Sequence, residues 1–321
     1  MQWLTDAPDD FLAIFGGESG SDSSQPLPHH PSLPLLLPRR TFTARESSID
    51  LPPDGWFIHR SQAPHSMYDA LRQTLADGGV LPDTTVVLTE EGSGFRGHHD
   101  RRWAALRGNL HLSVLIRRPL PIATTGAGLS MLPAVVVADW LQEILPSSVK
   151  PGIKWVNDIT LRGRKIGGVL ASSSIRGSTF HDCLLGIGLN LQVAPEIDAD
   201  VFVPGTTCLG DWTPAPPLSQ VALELLRRLL RTFDRLASEG GGFLLDRYRA
   251  HACGIGESVR VWQDLPSPPL NRPPLACGVL EAIHPDLSLQ ITGQARPIHH
   301  GRMALESDIQ SWLQQANPPK T

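Results

Sequence analysis

One block constrains this chain more than any other: Lys154-Trp155-Val156-Asn157-Asp158-Ile159, followed closely by Arg164-Lys165-Ile166-Gly167-Gly168-Val169-Leu170. The apolar pattern predicts strands over residues 153–161 and 165–172, with Arg162-Gly163 as a hairpin turn between them. Two lysines, a carboxamide, a carboxylate and a Gly-Gly pair thus fall within one hairpin. Alternate side chains of a strand share a face, so Asn157 and Asp158 point to opposite faces unless the turn twists them. Glycines at 167 and 168 leave nothing to keep a ligand from the backbone. From the residues alone, a hairpin with a polar outer face fits as well as a ligand-binding one, and Lys165 could be a surface lysine.

The rest of the chain supplies a body around that hairpin. Helices are predicted over 66–75, 129–145 and 218–236, and strands over 84–89, 109–116 and 180–191. After His251 the pattern changes to short strands at 259–262, 276–283, 287–292 and 295–299, separated by Pro and Gly, as in a small β-barrel. Residues 1–54 are rich in Ser, Pro, Gly and Asp and read as a poorly ordered arm. The expected organisation is therefore an arm (1–54), a mixed α/β catalytic body (55–250) and a β appendix (251–321).

Composition narrows the class. A hydrophobic content of 41% supports a real core, and a net charge of −4 gives no overall drive toward nucleic acid or membrane. No run approaches the roughly 20 apolar residues that cross a bilayer, and no secretory signal or helix-turn-helix pattern is evident. Cys183, Cys208, Cys253 and Cys277 form no Cys-x-x-Cys pair, so a reduced, cytoplasmic protein is expected. The adjacent histidines His29-His30, His98-His99 and His299-His300 have no metal-site spacing.

The hairpin block resembles the Lys-Trp-Pro-Asn-Asp-Ile and Lys-Ile-Gly-Gly-Val-Leu signature of biotin–protein ligases, with Val156 in place of proline. Further pieces follow in the family's order: Gly186-Ile187-Gly188-Leu189-Asn190, then Thr206-Thr207-Cys208-Leu209, then Tyr248-Arg249 with Gly256 and Val259. The resemblance spans about residues 56–306. It implies an α/β (α+β) fold like that of class II aminoacyl-tRNA synthetases: a mixed, mostly antiparallel sheet with flanking helices and a C-terminal SH3-like barrel. It also implies adenylation of biotin by ATP with Mg²⁺, and transfer to a lysine of a biotin carboxyl carrier domain. Neither nucleic acid nor membrane is an expected partner, and a homodimer is compatible with the sequence.

Carried over residue by residue, Lys165 is the catalytic cation between the acid's carboxylate and the α-phosphate. Arg96, Gly97, His98, Arg101, Lys154, Asn157, Asp158 and Asn190 are the ATP and adenylate candidates, with Asp158 and Asn190 also candidates for Mg²⁺. His65, Ser66, Met67, Arg96, Lys165, Gly168, Gly186 and Gly188 are the candidates for the acid pocket.

Two departures fall on the acid side. The family's Gly-Arg-Gly-Arg loop corresponds to Phe95-Arg96-Gly97-His98; the Gln that precedes it is Gly92, while Arg101 and Trp103 keep their places. His65-Ser66-Met67 stands where the family shows Ser-Thr followed by Asn or Met. The ATP-side hairpin is nearly intact. Two alternatives therefore stay open: a ligase of the same fold using lipoate, octanoate or another acid, and a non-catalytic ligand-binding relative.

Overall fold

The structure is a computed structural model that describes residues 2–15, 36, 42–44, 55–97, 101–264 and 272–316. Among these, ten strands form one mixed sheet. They are β1 (Gln2–Thr5), β2 (Phe42–Ala44), β3 (Trp56–Ala63), β4 (Thr84–Gly92), β5 (Leu110–Ile116), β6 (Leu120–Pro121), β7 (Pro151–Lys154), β8 (Asp158–Leu161), β9 (Arg164–Arg176) and β10 (Thr179–Leu189). Across the sheet the order is β2-β1-β3-β4-β5-β10-β9-β8-β7, with β6 beside β10. The β1–β3 and β3–β4 pairs are parallel and the others antiparallel.

Each face is covered by what the sequence makes apolar. A helical layer of α4 (Gly128–Ile144), α5 (Leu218–Glu239) and α6 (Gly242–His251) packs on one face. Helix α5 is amphipathic: Val221, Leu225, Leu229, Phe233 and Leu236 recur at helical spacing and are all buried. The other face carries α2 (Met67–Ala76), whose Met67, Tyr68 and Leu71 pack with Val87, Leu115 and Leu184 of the sheet. The remaining helices of this body are α1 (Pro8–Phe15) and the single-turn α3 (Ile122–Thr125).

Two parts of this body differ from the sequence expectation. Residues 1–54 are not uniformly without structure, because β1 joins the sheet beside β3 and α1 follows it. Trp3 stacks on Phe57 with centroids 4.4 Å apart, and Phe11 and Phe15 meet Trp3 edge-on. Polar composition hid these few apolar anchors; the other residues of that arm lie outside the described set except Leu36 and β2. The expected strand at 153–161 is two strands, β7 and β8, joined by a turn at Trp155–Asn157 whose Trp155–Val156 peptide is cis. The turn at Arg162-Gly163 stands as expected, both residues having positive φ.

Beyond α6 lies a separate antiparallel sheet of β11 (Ser258–Trp262), β12 (Ala276–Ile283), β13 (Leu289–Ile291) and β14 (Arg302–Leu305), ordered β13-β12-β11-β14 and followed by α7 (Glu306–Ala316). No strand forms at 295–299; Ile298 makes a single bridge to Leu289. Specific bonds hold this unit to the larger one. Trp155 Nε1 donates to Leu287 O at 2.8 Å, Arg249 Nε to Ile283 O at 2.8 Å, and Lys154 Nζ pairs with Asp308 Oδ2 at 2.6 Å. No helix among the described residues is long and apolar enough to cross a membrane.

Candidate active site

A cavity opens on the α2 face of the sheet, beneath the segment joining β4 to β5. One row of its floor can be read from the strand register: Thr89 lies opposite His111, His111 opposite Gly188, Gly188 opposite Gly168, and Gly168 opposite Asp158. The row is polar at both ends and glycine in the middle.

The charged end is built by the β8–β9 hairpin. Lys165 Nζ lies 2.6 Å from Asp158 Oδ1. A Cβ on Gly168 would lie 3.7 Å from both the Lys165 Cε and Asp158 Oδ1, so the pair sits directly above bare backbone. The Lys165 main chain is clamped, its N–H donating to Gly205 O at 2.9 Å and its carbonyl accepting from Thr207 N–H at 3.0 Å. The Thr206-Thr207 segment thereby fixes the lysine. Burial works against ionisation of Asp158, but Lys165, with Arg101 and Lys154 further off, outweighs it and holds the carboxyl below the usual carboxylate range. The tight turn lets Asn157 line the same cavity as Asp158, with Asn157 Nδ2 donating to Val169 O at 2.8 Å.

Aromatic rings fill the glycine centre. A Cβ on Gly186 would meet the Tyr68 ring at 2.9 Å, and one on Gly188 would meet the Trp103 ring at 2.6 Å. These glycines therefore admit rings from α2 and from the β4–β5 segment. Trp103 is held in place: its indole N–H donates to His111 Nδ1 at 3.3 Å, while His111 Nε2 bonds Leu106 O at 3.3 Å. That pattern makes His111 the neutral Nε2–H tautomer. Burial lowers its pKa to about 4, and the bond to Leu106 O opposes this only in part.

The β4–β5 segment is itself a short hairpin. Gly92 N–H donates to Ala105 O at 3.0 Å, Trp103 N–H to Phe95 O at 3.0 Å, and Gly97 N–H to Arg101 O at 2.7 Å. Phe95 is buried among Met67, Tyr68 and Trp103. A Cβ on Gly92 would overlap the Phe95 ring and lie 2.6 Å from Ala63 O. Two of the loop's replacements, Gly92 and Phe95, are thus spatially coupled: the ring occupies the space that a side chain at 92 would need.

Of the residues singled out from the sequence, Ser66, Met67, Arg96, Gly97, Arg101, Asn157, Asp158, Lys165, Gly168, Gly186 and Gly188 line this one cavity. His98 lies outside the described residues. His65 is exposed and does not line it, though its Cα lies 3.6 Å from where a Cβ on Gly94 would stand. Lys154 is buried, with its ammonium on Asp308 Oδ2 at 2.6 Å and Phe202 O at 2.8 Å. Asn190 holds the turn after β10, Nδ2 donating to Thr207 O at 3.0 Å, and is not part of the cavity lining. Asp158 and Asn190 are therefore not brought together there. No group of three or more His, Cys, Asp or Glu residues among those described could hold a metal ion.

Sequence reading missed several contributors. Thr89, His111 and Ser113 line the cavity from β4 and β5, although nothing in their local pattern distinguishes them from ordinary strand residues. A second, adjoining cavity is lined by Lys154, Asn157 and Asp158 together with Gly301, Arg302 and Met303 of the C-terminal sheet. Arg302 lies 3.9 Å over the Phe202 ring and 3.7 Å from Asp200, and burial lowers its pKa.

The model of the biotin/lipoate A/B protein ligase family matches residues 75–190. The chain is 33% identical to the biotin–[acetyl-CoA-carboxylase] ligase of Mycobacterium tuberculosis over 190 residues, which is 58% of this chain and 67% of that protein. It is 36% identical to the enzyme of the same name from Paracoccus denitrificans over 127 residues, 40% of this chain and 52% of that one. The alignment thus spans about half of the latter. A solved biotin protein ligase from Aquifex aeolicus in complex with biotin and ATP has the same fold, with a TM-score of 0.59 and 18% identity over 78% of this chain and 98% of that one.

Proposed function

The chain belongs to the biotin/lipoate A/B protein ligase family, and from that membership we propose that it activates biotin with ATP and transfers it to a lysine of a biotin carboxyl carrier domain. One observation carries the reading. The family's cation, Lys165, stands fixed by its own main chain over a glycine floor, in a cavity that also holds Asn157, Asp158, Arg96 and Arg101.

The chemistry asks for such a cation. A carboxylate oxygen attacks the α-phosphorus of ATP, an acyl–phosphate bond forms, and pyrophosphate leaves with the electrons of the broken P–O bond. Both reactants are anionic, so an ammonium placed between them lowers the repulsion and stabilises charge developing at phosphorus. Lys165 already holds one carboxylate, that of Asp158, at 2.6 Å. An incoming acid would share that ammonium. Arg96 and Arg101 sit on the β4–β5 hairpin above it, suited to the phosphate oxygens. In the second half-reaction the acceptor lysine's amine attacks the acyl carbon, an amide forms, and AMP leaves.

The adjoining cavity lined by Arg302 and Asn157 suits the rest of the nucleotide, so that both domains would hold ATP. A magnesium ion would arrive on the phosphates, but the proposed pair does not fit it. Asp158 Oδ1 is committed to Lys165, and Asn190, although its Oδ1 has no hydrogen-bond partner among the described residues, is buried outside the cavity lining, so the two do not converge on one cation. We read residues 55–250 as the catalytic domain, related to class II aminoacyl-tRNA synthetases, with β1 and α1 added to its sheet edge. Residues 251–321 are read as an SH3-like unit, supported by four short antiparallel strands.

Pyrophosphate exchange measured with biotin, lipoate and octanoate tests the acid, and transfer of label to a purified biotin carboxyl carrier domain tests the acceptor. Exchange with biotin followed by labelling of the carrier lysine is expected. Exchange with another acid alone would move the enzyme to a different substrate within the same chemistry.

A further inference from the structure

The end of the cavity opposite Lys165 contains an atom the fold does not satisfy. Thr89 lines the cavity and is fully buried, yet its Oγ1 has no hydrogen-bond partner among the described residues. A buried hydroxyl left unpaired is costly and calls for a reason. Its cross-strand neighbour cannot satisfy it. His111 lies directly opposite on β5, but Nδ1 accepts from Trp103 and Nε2 donates to Leu106 O.

The same end carries the exchange at Gly92 and Phe95. Where the family places a glutamine, this chain has no side chain, and the Phe95 ring fills the space. The pocket has therefore lost a carboxamide and gained a flat apolar wall next to an unpaired hydroxyl. Thr89 and Gly168, the residue beneath Lys165, are separated by three strand spacings, roughly 14 Å. The Trp103 ring covers Gly188 between them, so an acid held by its carboxylate at Lys165 reaches Thr89 by running past that ring, with a polar head on an aliphatic tail.

We propose that Thr89 is the specificity-determining residue of the acid pocket, its hydroxyl donating to the head-group carbonyl of biotin's ureido ring while the ring lies against Phe95. The proposal rests on the biotin reading above. On this account the recognition lost at position 92 moves three residues back along the same strand, and biotin remains the acid.

Substitutions at 89 test it, read by pyrophosphate exchange and by equilibrium binding of biotin. Thr89→Val keeps the side-chain shape and removes only the hydrogen bond. It is expected to raise KM and Kd for biotin about tenfold while KM for ATP stays put; Thr89→Ser is expected to restore most of the loss. Lipoate and octanoate, whose far ends carry no carbonyl, are expected to respond equally to both proteins. A biotin KM within about twofold of wild type in Thr89→Val overturns the proposal and leaves the ligase reading intact. Wild-type enzyme that exchanges with lipoate or octanoate but not with biotin overturns both.

Discussion

At the residue scale, the site is two side chains held by opposite means. Lys165 is positioned through its backbone, so its ammonium remains available to an anion, and Asp158 is its resting partner. His111 is positioned through both ring nitrogens and serves Trp103. Because burial lowers its folded pKa to about 4, the unfolded chain, with an ordinary histidine, takes up the proton first as pH falls. The stability this histidine provides is therefore complete above about pH 6.5 and is lost progressively toward pH 4. Roughly 2–3 kcal/mol of pH-dependent stability is expected from it over that interval. Denaturant unfolding of wild type and His111→Gln between pH 7 and 4.5 checks this. The variant should start less stable and show the shallower slope; parallel slopes would mean that His111 does not carry the effect.

Among the elements, the β8–β9 hairpin was the most legible from sequence and the β4–β5 hairpin the least. Lysine, carboxylate and paired glycines declare the first in a handful of residues. The break just before it, between β7 and β8, was not visible, because Trp155, Val156 and Asn157 carry no glycine to announce a turn. In the β4–β5 segment the informative fact is a contact: Phe95 fills the space over Gly92 only when the chain folds back between Phe95 and Trp103. Thr89 and His111 were missed for a related reason. An unpaired hydroxyl and a doubly bonded imidazole are properties of strand register, which one-dimensional spacing does not contain. Strand β10 offers a direct test of the ring-over-glycine packing. Gly188→Ala drives a methyl into the Trp103 indole, with an overpacking cost of about 1–3 kcal/mol and a raised KM for biotin. Chemical denaturation and exchange kinetics measure both, and a variant unchanged in each would show that Trp103 can move aside freely.

For the whole molecule, the C-terminal unit belongs to the candidate site's construction. It accepts a hydrogen bond from the turn at Trp155, holds the ammonium of Lys154 through Asp308, and places Arg302 at the cavity beside Asn157. Lys154, drawn from the most recognisable motif in the chain, thus ties the two units together here. Its pairing with Asp308 is buried on both sides, so removing one partner strands the other charge. Asp308→Ala is expected to destabilise the protein by about 3–5 kcal/mol, and Lys154→Met with Asp308→Leu by much less. Unfolding curves decide it. Equal loss in the single and double variants would point to packing around α7.

The central claim is that Lys165 carries the adenylation of biotin. Single-turnover formation of labelled biotinyl-adenylate from α-labelled ATP, compared between wild type and Lys165→Ala, addresses it most directly. The account predicts adenylate in the wild type and a rate lower by about 10²–10³ in the variant, with folding unchanged. Equal rates in the two proteins, or no adenylate from wild type with biotin, would contradict it.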